Sequence, residues 1–163
     1  MRLSELKRGY YLIWVLAVVL LVVLWHGSES RASEAGEVFV ADMPSFVERN
    51  KPVVAGSRTL FTDRRVAFEG RIVQGPSPQQ VDYLKEAFAV TRIYPVPEVA
   101  HSLFVEIAPG RVIPVYVARP VVESELAGVI DGERRYRLAG IHLYNYSKGP
   151  AIVVDRVEAL GSE

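Results

Sequence analysis

The stretch from Arg135 to Lys148 gathers the side chains best suited to recognition chemistry. Arg135, Arg137, His142, Tyr144 and Tyr146 lie along one extended run, with Asn145, Ser147 and Lys148 in or beside the turn that ends it. If Ala139–Gly140 forms a bulge, the alternation shifts by one there and those five residues share a face, with Tyr136, Leu138, Ile141 and Leu143 toward the core. Without the bulge, Tyr136, Leu138, His142 and Tyr144 share a face instead. Aromatic rings beside cations suit a nucleobase, a sugar or a protein surface. The plainer alternative is that tyrosines belong in strands and arginines solvate a sheet face. Arg135, Arg137, His142, Tyr144, Tyr146 and Lys148 are therefore the candidate ligand- or partner-binding residues.

Catalytic chemistry finds little support. The 163 residues include no cysteine, which excludes disulfides, thiolate zinc sites, cysteine nucleophiles and iron–sulfur clusters. Neither a glycine-rich phosphate cradle nor a G-x-S-x-G nucleophile elbow occurs. His26, His101 and His142 are not spaced as metal ligands. Glu69, Glu106, Asp155 and Glu158 are carboxylates, but no spacing selects a pair for general acid–base work. The expectation is a protein that is not an enzyme and has no metal and no cofactor.

The elements that position these residues read mainly as strands. Arg64 to Gln74 alternates apolar and polar residues at a period of two. Ser77-Pro78-Gln79-Gln80 reads as a helix start, and Val81, Leu84, Ala87 and Phe88 fall on one face of that helix. Leu103–Ala108 and Arg111–Ala118 form a hairpin about Pro109-Gly110, in which Pro114 implies an edge or a bulge. Glu123 to Ile130 suits a short helix. Glu133–Tyr146 and Ala151–Leu160 are the last strands. Upstream, Glu37 to Ala41 reads as a short strand and Pro44 to Arg49 as one helical turn capped by Asp42.

Two segments echo each other: Arg64-Arg65-Val66-Ala67-Phe68-Glu69-Gly70 and Arg134-Arg135-Tyr136-Arg137-Leu138-Ala139-Gly140. Each ends in a mid-strand glycine of the kind needed where a strand coils around a small barrel. With the order of elements, these glycines resemble the OB-fold, the five-stranded Greek-key barrel with a helix between its third and fourth strands. The resemblance covers Thr59 to Leu160, with an insertion from Ser77 to Val99. A β-sandwich fragment or an open sheet packed on the 78–89 helix is the alternative. His142-Leu143-Tyr144-Asn145-Tyr146 also reads H-x-x-x-Y. That string is similar to the haem-attachment motif of the periplasmic haem chaperones of cytochrome c maturation, which likewise look like membrane-anchored OB-folds. In that family the histidine lies after the barrel, whereas here it sits in a strand with another strand after it.

Charge is segregated along the chain. Lys plus Arg equals Asp plus Glu at 19 each, which argues against a strongly basic nucleic-acid binder. Arg2, Lys7 and Arg8 outweigh Glu5, leaving residues 1–8 at +2. Residues 9–28 carry no charge, so the remainder sums to −2. An aliphatic run flanked by Tyr10, Tyr11 and Trp14 at one end and Trp25 at the other has the length and aromatic belts of a membrane span. The positive-inside rule places the N-terminus in the cytoplasm. The competing reading is a signal peptide cleaved near Ser30-Arg31-Ala32 or Ser33-Glu34-Ala35.

The organisation expected is a cytoplasmic N-terminus (1–8), a transmembrane signal anchor (9–28), a flexible tether (29–36) and an exported OB-like β domain with one or two short helices (37–163). The localisation expected is a single-pass membrane protein with its C-terminal domain periplasmic or extracellular. The function expected is that of a non-enzymatic accessory or assembly protein that binds a protein partner in an envelope complex. The alternatives are an envelope module for nucleic acid or oligosaccharide and, more remotely, a haem-chaperone-like protein.

Overall fold

A computed structural model describes residues 36–161, apart from 53, 55, 63 and 128–131. The expected cytoplasmic N-terminus and membrane span, and the tether except for Gly36, lie outside the described residues. Among the described residues no helix is long and apolar enough to cross a membrane.

Strands β1 (Glu37–Phe39), β2 (Thr59–Leu60), β3 (Arg65–Pro78), β4 (Val99–Ala108), β5 (Arg111–Ala118), β6 (Arg135–Tyr146) and β7 (Gly149–Ala159) form one sheet in the order β1-β3-β4-β5-β7-β6-β2. β3 also pairs with β6, from Arg65 opposite Ile141 to Arg71 opposite Arg135. This second pairing closes β3, β4, β5, β7 and β6 into a ring. β5 and β7 run parallel at the seam, through Tyr116–Val153 and Val117–Val154. A closed five-stranded barrel in this order, with a helix between its third and fourth strands, has the OB-like Greek-key arrangement.

The two echoing segments turn out to be partners. Arg65–Arg71 and Arg135–Ile141 pair antiparallel, with Phe68 opposite Leu138. Their glycines are sterically required. A Cβ on Gly140 would lie 2.1 Å from the Val153 carbonyl oxygen, and one on Gly70 would lie 2.5 Å from Val105 Cγ1. Such close backbone approach is what a tightly coiled barrel demands.

Among the described residues three helices complete the unit: α1 (Met43–Arg49), α2 (Asp82–Thr91) and α3 (Arg119–Ser124). Asp42 caps α1, its carboxylate accepting from Ser45 N–H at 3.0 Å. Met43, Phe46 and Val47 of α1 and Val121 of α3 join Phe68, Leu103 and Leu138 in the barrel interior. α2 builds a second layer outside the barrel, where Leu84, Ala87 and Phe88 pack on Ile141, Leu143 and Val153. Fully burying one such side chain is worth roughly 1.5–3 kcal/mol.

Three boundaries differ from the sequence reading. Ser77-Pro78 does not start α2. Instead β3 continues to Pro78, opposite His101, after two register shifts. Irregular pairing leaves prolines tolerable there. α3 runs from Arg119 to Ser124, so of the expected Glu123–Ile130 helix only Glu123 and Ser124 are helical among the described residues; Pro120 occupies its first turn, a position that suits it. β2 is too short to leave a periodic signal and forms only against Tyr144 and Asn145. Pro114 lies where β5 lacks a ladder on its β7 side, since that pairing begins at Tyr116.

Candidate functional site

β6 distributes the six candidate residues over three places. Its unbroken register with β3 sends Arg135 and Arg137 outward, while Tyr136, Leu138 and His142 face inward. The shift at Ala139–Gly140 falls on the partner strand, where Asp155 of β7 is the extra residue. A true bulge on β6 comes later, at Leu143, between His142 opposite Ile152 and Tyr144 opposite Ala151. It turns Tyr144 into the outer layer with Leu143. The five strand residues therefore do not share one face, and Tyr144 also parts from His142.

At the start of β6, Arg135 and Arg137 both pair with Glu69, at 3.5 Å and 3.3 Å. The Arg137 guanidinium also lies over the Phe39 ring, 5.0 Å from its centroid.

His142 is fully enclosed, against Phe61 at 4.7 Å and Phe46 at 5.3 Å between ring centroids. Its Nε2–H donates to Asn145 Oδ1 at 2.7 Å. Asn145 Nδ2 donates to Asn50 Oδ1 at 3.2 Å, and Asn50 Nδ2 donates to the Phe46 carbonyl at 2.8 Å. This relay joins β6 to α1. Burial lowers the His142 pKa to about 4; the nearby Arg64 charge adds to the shift and the Asn145 hydrogen bond opposes it. As folded, the H-x-x-x-Y string presents no solvent-accessible imidazole nitrogen.

At the far end of β6, Tyr144 belongs to a cluster that the local pattern did not reveal. Its ring meets Tyr83 of α2 at 5.0 Å and Tyr146 at 5.8 Å, both edge to face. Tyr116 of β5 lies beside its hydroxyl. Burial, and after it the Tyr116 hydroxyl, raises the Tyr144 pKa far above the phenol range, and burial raises that of Tyr146. Arg58 stacks on Tyr83, 3.8 Å from its centroid. Lys148 is exposed in the adjacent turn. Tyr83, Tyr116 and Arg58 come from three separate segments, so only the tertiary fold could assemble them.

The outward side chains of β4 and β5 complete the picture. Leu103, Val105, Ile113 and Val115 point inward, so Phe104, Glu106, Val112 and Pro114 point outward. Val112 is 44% exposed, and so is Val73, the extra residue of β3 between Ile72 opposite Val105 and Gln74 opposite Phe104. Glu106 accepts from Gly110 N–H at 2.9 Å and from Arg71 Nε at 2.8 Å. These two bonds, the first foremost, hold its pKa below the usual carboxylate value. A cleft of about 300 Å³ opens beside it, lined by Gly70, Arg71, Ile107, Pro109, Gly110 and Arg135.

Other surface arginines are also matched. Arg65 forks onto Asp155 at 2.8–2.9 Å, Arg119 pairs with Glu98 at 3.0 Å, Arg156 pairs with Glu37 at 2.8 Å, and Arg111 pairs with Glu48. Among the described residues no group of three His, Cys, Asp or Glu side chains could hold a metal.

The ring of strands and the position of α3 define an OB-like barrel module. Neither a protein-family model nor a curated protein matches the chain. Among solved structures it is similar to a chain of the S. pombe Stn1–Ten1 complex, at 12% identity and a TM-score of 0.38, over 60% of this chain. The match spans 59% of that chain's length. The OB-like assignment rests on strand order and closure, not on this likeness.

Proposed function

We propose that the chain is a membrane-anchored, extracytoplasmic, non-enzymatic accessory or assembly protein whose barrel binds a protein partner. The carrying observation is the open part of the β4–β5 outer face. OB-like barrels commonly take ligands on the face of their second and third strands. Here that face offers Phe104, Val112 and Pro114 with a single carboxylate, Glu106, whose charge is already matched by Arg71 of the adjoining β3. Binding a phosphate backbone needs cations free to replace counterions, whereas an apolar centre with a polar rim suits a protein surface. The uncharged run at residues 9–28 supports the anchor, and the basic residues before it support export of the β domain.

Affinity purification of the intact chain from membranes in mild detergent tests this reading. A protein recovered in fixed ratio supports it; a chain that emerges alone and monomeric counts against it.

The tyrosine cluster favours a second reading, an oligosaccharide or single-stranded nucleic acid held by Tyr83, Tyr146, Arg58 and Lys148. That reading requires salt-sensitive binding, abolished by Tyr146→Ala with Lys148→Ala.

A further inference from the structure

Arg71 and Arg135 stand directly opposite each other across the β3–β6 ladder. Like charges in that relation repel. Arg71 is held by Glu106, which Gly110 N–H fixes in turn. Arg135 is held loosely. Its side chain is 63% exposed and reaches Glu69 at 3.5 Å, a carboxylate that Arg137 shares at 3.3 Å.

Arg71 and Arg135 both border the cleft of about 300 Å³, with Ile107, Ala108 and Pro109 as its apolar wall. The cluster sets Arg71, Arg135 and Arg137 against Glu69 and Glu106, leaving one positive charge. The flanking Glu133 and Arg134 offset each other.

We propose that this cleft receives one carboxylate, from an Asp or Glu side chain of the protein partner, between the Arg71 and Arg135 guanidinium groups. The inference rests on the protein-partner reading and specifies its chemistry. A single negative charge matches the cluster, whereas a phosphate dianion overshoots it and meets Glu69 and Glu106. A planar carboxylate fits the loosely held Arg135 fork in bidentate fashion, while Arg71, whose Nε and Nη2 both engage Glu106, adds its charge from the other side. The apolar wall accommodates the methylenes of the incoming side chain.

The test titrates the full chain in detergent micelles with N-acetyl-glutamate amide, N-acetyl-glutamine amide and inorganic phosphate, reading the arginine Nε–Hε NMR signals. The expected result is a saturable shift of the Arg71 and Arg135 signals with the glutamate probe alone. Arg135→Gln should weaken that binding about tenfold, as expected for losing a charge-assisted hydrogen bond, without moving the thermal midpoint. An equal response to the glutamine probe, shifts spread evenly over all arginines, or tighter binding of phosphate overturns the proposal.

Co-purification separates the two claims. A partner recovered equally well with the Arg71→Gln, Arg135→Gln double variant removes the carboxylate site and leaves the docking face standing. Saturable glutamate binding by a chain that recovers no partner counts against the partner reading alone.

Discussion

The ring of Tyr144 meets that of Tyr83 edge to face, with centroids 5.0 Å apart. The contact fastens α2, inserted between the first two barrel strands, to the outside of the fourth. Arg58 covers the other side of the joint by stacking on Tyr83.

Tyr83→Leu keeps much of the apolar area but removes the ring pair and the cation stack. The expected loss is about 1–2 kcal/mol in urea unfolding of the full chain. Tyr83→Phe should retain most of that stability, since the ring contacts survive.

Gly140→Ala should be far more damaging. The added methyl would meet the Val153 backbone oxygen at 2.1 Å, and backbone there cannot yield without opening the β6–β7 ladder. The expected loss exceeds ~3 kcal/mol or prevents folding. Gly161→Ala, with nothing within 4 Å of the new Cβ, should be silent. Circular dichroism melts of the two variants check both outcomes.

Gly70 and Gly140 also show why much of the fold was legible. Their mid-strand positions within two similar segments marked a coiled barrel because no other residue permits that backbone approach. The Pro109-Gly110 turn was equally plain, since Gly110 has φ +71°. The site was less legible. Arg71 faces Arg135, and Tyr83 meets Tyr144, only once the register and the Leu143 bulge are set. Neither is encoded in local alternation. His142 read as part of a surface constellation, because a strand pattern does not say which face closes on α1.

His142 gives a pH signature. Its folded pKa of about 4 lies below the ordinary 6.5. Above that ordinary value both states are neutral and the full stability is present. As pH falls through the window toward 4, the unfolded chain takes up a proton that the folded chain refuses. Stability therefore drops, by up to about 1.4 kcal/mol per pH unit, and the loss levels off below the folded value. His142→Gln should flatten this segment of the stability–pH curve, leaving the carboxylate-driven losses at lower pH. Denaturant midpoints taken from pH 7 to pH 4 on both proteins check the difference.

Val112→Glu places a charge at the centre of the proposed docking face, at a position 44% exposed. Stability should change by less than ~0.5 kcal/mol, as for ordinary surface substitutions. Recovery of the co-purifying partner should fall at least tenfold. Unfolding curves and quantitative affinity purification, run side by side, separate the two effects.

The most direct measurement replaces Val112, and separately Glu86 on the exposed side of α2, with a photo-crosslinking residue in the full chain expressed in cells. The account predicts one discrete, stoichiometric protein adduct from position 112, lost when Val73→Glu is added, and none from position 86. Equal labelling from both positions, or no protein adduct at 112, contradicts a protein-binding role for the β4–β5 face.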